Sequence, residues 1–149
     1  PIKIADEVVD TYCKKQSPFT IQHSSEGAYY NSNLDFVNMP KLDTFIDSDS
    51  YYKVLFHELA HSTGHKSRLN RKTLTEVVKW GDNTYAKEEL VAEISSMYMV
   101  GLLGLNPTEN VENSQAYIKG WCKHLTDKPK ECVYAMQSAT KVVDYLLTK

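Results

Sequence analysis

The sequence predicts an α+β fold in which a small antiparallel sheet packs against several helices. Two observations carry that expectation. Between Phe19 and Pro40, β-type runs alternate with turn formers, and on both sides of that region apolar residues recur at helical spacing or in strongly helix-forming company.

The elements follow in order. From Ile2 to Lys15, the apolar residues Ile4, Ala5, Val8, Val9 and Tyr12 fall on one helical face, with acidic residues early and lysines late, as the helix dipole favours. Phe19-Thr20-Ile21, Ala28-Tyr29-Tyr30 and Phe36-Val37-Asn38-Met39 read as about three strands, with turn chemistry at Ser24 to Gly27 and Asn31 to Asn33. Asp47-Ser48-Asp49-Ser50 offers N-caps to a helix carrying Tyr52, Val54, Leu55 and Leu59, which Gly64 can terminate. Residues 66–84 are polar and predict a long connection with one short turn of helix. Tyr85 to Gly101 is helical by composition, and Asn106-Pro107 breaks it. The apolar stretch from Met97 to Leu105, interrupted by Gly101 and Gly104, reads as a buried helix end and is too short to span a bilayer. Val111 to Leu125 and Pro129 to Leu147 predict the last two helices, with Pro129 in the first turn, where its missing N–H is harmless.

Bulk composition narrows the function. Hydrophobic residues are 42% and charged residues 24%, so neither disorder nor a membrane protein is indicated, and one domain over residues 1–149 is expected. A net charge of −2 and a pI near 6.2 argue against a strong phosphate-backbone binder, which needs a basic face. Lys14-Lys15 and the run Lys66, Arg68, Arg71 and Lys72 then read as solvated surface. Cys13, Cys122 and Cys132 form no CxxC pair and are odd in number, which fits a reducing cytoplasm better than a disulfide framework. The chain opens at Pro1 without an apolar signal region and reads as cut from something longer.

The chemistry lies in His57-Glu58-Leu59-Ala60-His61. Histidines four apart on a helix leave one face with Cβ atoms about 5–6 Å apart, close enough to share one ion, and zinc is the expected ion. Glu58 then stands beside a water that the ion would activate, where a general base is needed. Chance would place this pattern in roughly a few of every thousand chains of this size. Catalytic zinc takes a third protein ligand. His65 lies eight residues after His57, a rise of about 12 Å on a continuous helix, so it needs a sharp turn at Gly64 to contribute. His-x-x-Gly resembles the metzincin pattern, but the third histidine of that pattern would fall at position 67, which is Ser67. The better source is Lys87-Glu88-Glu89-Leu90-Val91-Ala92-Glu93. Glu89 and Glu93 share a helical face, so either could bind the ion while the other orients a histidine through its free ring nitrogen. Glu88 points about a hundred degrees away and is expected to be solvated.

This arrangement resembles the gluzincin pattern, in which a helix glutamate completes the site and an acidic residue four positions later supports it. That resemblance implies a zincin-like fold, with Glu89 as ligand and Glu93 as support. More specifically, Ala28-Tyr29-Tyr30, Met39-Pro40, Tyr51-Tyr52, the run from His57 through Gly64-His65 to Ser67-Arg68-Leu69-Asn70-Arg71, and Tyr85-Ala86-Lys87-Glu88-Glu89-Leu90-Val91-Ala92-Glu93 resemble the carboxy-terminal domain of ArdC-type antirestriction proteins. So do Tyr117-Ile118-Lys119-Gly120-Trp121 and Ala139 to Leu146. The resemblance covers nearly the whole chain in order. It implies a bacterial mobile element, and an upstream single-stranded-DNA-binding domain not contained in this sequence. Where relatives carry small residues and longer apolar runs after the glutamate helix, this chain has Ser95-Ser96-Met97-Tyr98.

A hydrolytic site also needs a donor for the oxyanion, and Tyr117 is the first candidate, followed by His124. The tyrosine pairs 29–30 and 51–52 are expected to pack the sheet against the motif helix, with His23 at the surface. The expectation is a cytoplasmic zinc peptidase acting on a peptide or protein substrate, without a membrane. The competing expectation is a metal-stabilised, non-catalytic module that assists DNA protection.

Overall fold

The computed structural model describes residues 1–76, 83–108, 111–124 and 129–148. Helix α1 (Lys3–Lys15) leads into strands β1 (Thr20–His23), β2 (Tyr29–Asn31) and β3 (Phe36–Met39); a 3₁₀ turn (Leu42–Thr44) follows, then the motif helix α2 (Ser48–Thr63) and the single-turn α3 (Lys72–Thr75). Helices α4 (Asn83–Leu102), α5 (Val111–His124) and α6 (Pro129–Leu147) close the order. The α+β class and the small sheet are as expected, and the helices fall within a few residues of their predicted bounds. No helix among the described residues is long and apolar enough to cross a membrane.

The sheet departs from the expected all-antiparallel pairing. Its order is β1-β3-β2: β2 and β3 pair antiparallel with Tyr30 opposite Val37, but β1 and β3 pair parallel with Ile21 opposite Val37. Each turn reverses the chain as its sequence predicts. The segment between β1 and β2 is wide enough, however, for β3 to enter between them. Asn38 of β3 holds that opening from within, accepting from Ser24 Oγ at 2.9 Å and donating to the Gly27 carbonyl at 2.7 Å. Strand β2 is thereby left at the sheet edge, next to α2.

Helix α2 is covered on most sides. Leu55, Phe56, Leu59 and Ala60 pack with Leu90, Val91 and Met99 of α4 and with Val142 and Leu146 of α6. Its buried hydroxyls are satisfied locally, Ser62 on the Leu59 carbonyl and Thr63 on the Ala60 carbonyl. Tyr12 of α1 stacks edge-on against Phe19 and Tyr145 and meets Ser62 Oγ at 2.8 Å, so the first helix is fastened to the motif helix.

Both ends of α2 are fixed. Asp47 caps the start, its Oδ1 accepting from Ser50 N at 2.6 Å, while its Oδ2 accepts from Thr108 N and Asp49 accepts from Asn106 N. The Thr108 contact and the cap bond hold the Asp47 carboxyl down to about 2. Asp47→Ala should lower stability by about 0.5–2 kcal/mol, the usual value of a lost cap. Because the folded carboxyl titrates below its ordinary 3.8, the contribution is whole above that pH and disappears as pH falls toward 2. Urea midpoints of the two proteins should therefore converge in acid. At the other end Gly64 follows α2 with an ordinary φ of −78°, so its value is not the left-handed cap that helix-ending glycines usually supply. A Cβ there would lie 2.8 Å from the Arg71 guanidinium. Helix α4 is closed just past its end by Gly104, at φ +65°, with Leu105 N returning to the Val100 carbonyl. The expected buried helix end holds as far as Met99 and Val100; Tyr98 and Leu102 face solvent.

Candidate metal centre

Helix α2 carries His57 and His61 one turn apart, with ring centroids separated by 4.9 Å. Helix α4 lies against it and brings three carboxylates. Glu89 sits between the two inner ring nitrogens, Oε2 at 3.2 Å from His57 Nε2 and Oε1 at 3.0 Å from His61 Nε2. The outer nitrogens each meet a different carboxylate: His57 Nδ1 lies 2.8 Å from Glu93 Oε2, and His61 Nδ1 lies 2.7 Å from Glu88 Oε2. Once Nδ1 donates outward, the lone pair of each imidazole is left on Nε2, facing Glu89. One donor atom from each of His57, His61 and Glu89 lies within 4.8 Å of the others. An ion about 2.0–2.2 Å from three such donors would set them roughly 3.3–3.6 Å apart, so the residues fit a divalent ion with about an ångström of closure.

Two of the carboxylates are backed by buried cations. Lys53 Nζ lies 3.3 Å from Glu93 Oε1, and the Ser96 hydroxyl fixes the Lys53 carbonyl at 2.6 Å. Arg71 grips Glu88 with two bonds of 2.6 and 2.8 Å, Thr73 donates a third at 2.9 Å, and Arg71 also reaches Thr63 Oγ1 and the Ala60 carbonyl. Gly64 is what permits that approach. Glu88 is therefore not the solvated residue its helical angle predicts, since only 3% of it is exposed. A turn of a hundred degrees away from α2 leads not to water but into the segment after Gly64, which folds back along α4. Arg71 likewise lies in the interior rather than at the surface. Arg68 is also tied in, bonded to Asp35, Tyr30 and the Ser62 carbonyl and stacked over Phe19. A signal for part of this was present: Lys53 stands among Tyr51, Tyr52, Val54 and Leu55, and a lysine inside so apolar a stretch of helix calls for a buried acid.

The charges respond to one another. Burial alone would push the His57 and His61 imidazoles down, but Glu89 with Glu93 and Glu88 with Glu89 raise them, to about 9 and about 10 without an ion. Burial works against Glu89 ionising, yet the two imidazoles hold it well below the usual carboxylate range. Glu88 is lowered too, since Arg71 and His61 outweigh its burial. Glu58 moves the other way: burial raises it, against the pull of His61 and His57, and it shares a cavity wall with Tyr29 and Tyr30 of β2. The candidate base thus stands between the histidine pair and the edge strand.

Tyr117 lines a cavity of about 400 Å³ together with His57, Glu58 and Glu89. A second tyrosine, not singled out in the sequence, faces the centre from the other side. Tyr85 stands one helical turn upstream of Glu89, whose carboxylate raises its phenol, and it lines an adjoining cavity of about 490 Å³ with His57, Glu58 and His61. His65 stands apart, its Nδ1 taken by Ser67, so it does not join the cluster. His23 is exposed, with Nε2 3.1 Å from the Tyr51 hydroxyl. The side chain of His124 lies outside the described residues.

A family model described as a zincin-like metallopeptidase matches residues 7–138. The chain belongs to that family. This zincin-like chain is similar to a protein named DNA primase TraC from Escherichia coli, at 40% identity over 134 residues, which cover 89% of this chain and 9% of that protein. It is also similar to the uncharacterized protein y4eC of Sinorhizobium fredii, at 31% identity over 126 residues, covering 85% of this chain and 40% of that one. Among solved structures, the Mn(II)-bound antirestriction protein ArdC from the R388 plasmid superposes with a TM-score of 0.74 at 37% identity, covering 95% of this chain and 51% of that one. The metal-free form of ArdC gives 0.73 at 36% identity. The chain thus spans a small part of TraC and about half of ArdC, and the resemblance to ArdC-type proteins extends to the fold.

Proposed function

We propose that the chain is a metal-dependent peptidase, cytoplasmic and part of an antirestriction-type protein of a bacterial mobile element. His57, His61 and Glu89 would hold the ion, Glu93 and Glu88 would orient the histidines, and Glu58 would act as general base. The observation that carries this reading is the placement of the Glu89 carboxylate at 3.0 and 3.2 Å from the two inward Nε2 atoms, with Glu58 beside them. Two imidazoles and a carboxylate are a donor set that suits zinc, and the existence of a Mn(II)-bound form of ArdC supports binding of a divalent ion by this fold. A divalent ion held there supplies a Lewis acid that acidifies water and polarises the carbonyl under attack.

The chain's own residues do the rest. Glu58, whose carboxylate burial makes the more basic, takes the proton from the attacking water and passes it to the leaving amine. Tyr117 is our candidate donor to the oxyanion, and Tyr85 is the alternative from the opposite wall. The edge of β2, which lines the same cavity as Glu58, is where an extended peptide would lie. Glu58→Gln should retain the ion and lose peptide cleavage by about 10²- to 10⁴-fold, measured on the metal-loaded chain with denatured protein as substrate. Unchanged cleavage would reject Glu58 as base.

One observation favours a second reading. The names of the relatives, a DNA primase and an antirestriction protein, concern DNA rather than peptides. A metal-stabilised interaction module that assists DNA protection would fit them, with single-stranded DNA bound only by an upstream region. In that case Glu58→Gln would leave antirestriction by the longer protein intact.

A further inference from the structure

We infer that Arg68 is a positioning residue: it fixes how far strand β2 stands from the motif helix, and so the width of the hollow where Glu58 meets its substrate. The part in turnover rests on the peptidase reading above, but the placement of the strand stands on contacts of its own. The cavity of about 490 Å³ has Ala28, Tyr29 and Tyr30 on one wall and His57, Glu58, His61 and Glu89 on the other. Within the described residues β2 pairs with β3 alone, so the sheet holds it on one side and a contact from outside the sheet sets its approach to α2.

That contact comes from the segment after Gly64. The segment folds on itself, Leu69 N donating to the Thr63 carbonyl, Asn70 N to the His65 carbonyl and Arg71 N to the Gly64 carbonyl, with Asn70 left-handed at φ +47°. Its two arginines reach different partners, Arg71 meeting Glu88 of α4 and Arg68 meeting Asp35 in the turn between β2 and β3. Arg68 Nε donates to the Ser62 carbonyl at 2.7 Å, one residue past His61. Both of its terminal nitrogens donate to the Asp35 carboxylate, which also accepts from the Tyr30 hydroxyl at 2.7 Å. Only 2% of the Arg68 side chain is exposed, and its guanidinium lies over the Phe19 ring, 5.3 Å from the centroid.

A planar guanidinium that spans a helix carbonyl and a carboxylate holds the two at a set separation, and a two-pronged charged contact closed to water is among the stronger ones. Loosening Asp35 should therefore free the hairpin while α2 and α4, which carry the candidate ligands and pack on each other, keep their places. The segment thus divides its work. Its Arg71 arm serves the metal ligands through Glu88, and its Arg68 arm serves the wall that faces them.

The test uses Asp35→Asn, because asparagine tolerates the φ of +56° found there and the Arg68 bond to Ser62 is left alone. Hydrogen exchange should show the amides that pair β2 with β3 opening about tenfold faster or more, the usual effect of losing bonds to a charged group, with those of residues 57–61 unchanged within about twofold. Zinc affinity, by chelator competition, should stay within about threefold. Arg68→Lys should loosen the same amides, since one ammonium cannot span both Asp35 and the Ser62 carbonyl. With labelled casein as substrate of the zinc-loaded chain, Asp35→Asn should raise KM about tenfold and leave kcat within about threefold. Full protection of the hairpin in either variant overturns the inference, as does a loss of zinc affinity that matches the loosening. A looser hairpin with unchanged KM overturns the part in turnover. If casein is not cut even by the unaltered chain, the peptidase reading falls, and the exchange and zinc measurements still decide whether Arg68 places the strand.

Discussion

Arg71→Met is expected to destabilise the chain by about 3–5 kcal/mol, because it leaves the Glu88 carboxylate in the interior without its cation. Both groups are nearly closed to water, at 3% and 7% exposure, and Arg71 supplies two of the bonds to Glu88 while also holding Thr63 and the Ala60 carbonyl of the motif helix. Removing the acid as well should reverse much of the loss, since a buried pair replaced by apolar groups of similar volume is often tolerated. Arg71→Met combined with Glu88→Leu should thus recover stability by urea unfolding. Metal affinity should behave differently, remaining about 10- to 100-fold weaker in the double variant, because His61 Nδ1 has lost its acceptor. Recovery of both properties together would mean that Glu88 has no part in holding His61.

Metal uptake should release protons, and affinity should fall steeply as the solution becomes acidic. Without an ion, both imidazoles titrate above their ordinary 6.5, at about 9 and about 10, so at neutral pH they carry protons that an ion must displace. The two rings lie 4.9 Å apart and oppose each other's charge, which puts the release between one and two protons. Affinity should then drop about 10- to 100-fold for each pH unit below neutral. Calorimetry in buffers of different ionisation enthalpy reads the number directly; no release would contradict the paired geometry. The stability of the ion-free chain has the opposite sense. Its histidine–carboxylate pairs contribute fully below 6.5 and lose that contribution as pH rises through about 9 to 10.

Much of the candidate centre was legible because it depends on local periodicity. His57, Glu58 and His61 on one helix, and Glu89 with Glu93 on another, need only the helical repeat to be placed on shared faces. The two helices meet as that reading requires. What periodicity cannot convey is what covers the other faces. Glu88 and Arg71 are 17 residues apart and come together only because the chain turns back after Gly64. The sheet illustrates the same limit: its turns are written locally, but the entry of β3 between β1 and β2 is a long-range pairing, visible in the Asn38 bonds and not in any run of β-formers. Tyr85 was missed for a simpler reason. As an exposed residue in the first turn of a helix it looks like surface until the helix is docked and it lines the same cavity as His57, Glu58 and Glu89.

The most direct test of the account is a zinc titration of the chain beside Glu89→Ala and Glu93→Ala, by competition with a chromophoric chelator. The arrangement of Glu89 between the inward nitrogens, with Glu93 behind His57, predicts one ion per chain. Glu89→Ala should bring the largest loss of affinity, and Glu93→Ala a smaller one of about 10- to 100-fold. Full affinity in Glu89→Ala with loss of the ion in Glu93→Ala would contradict it.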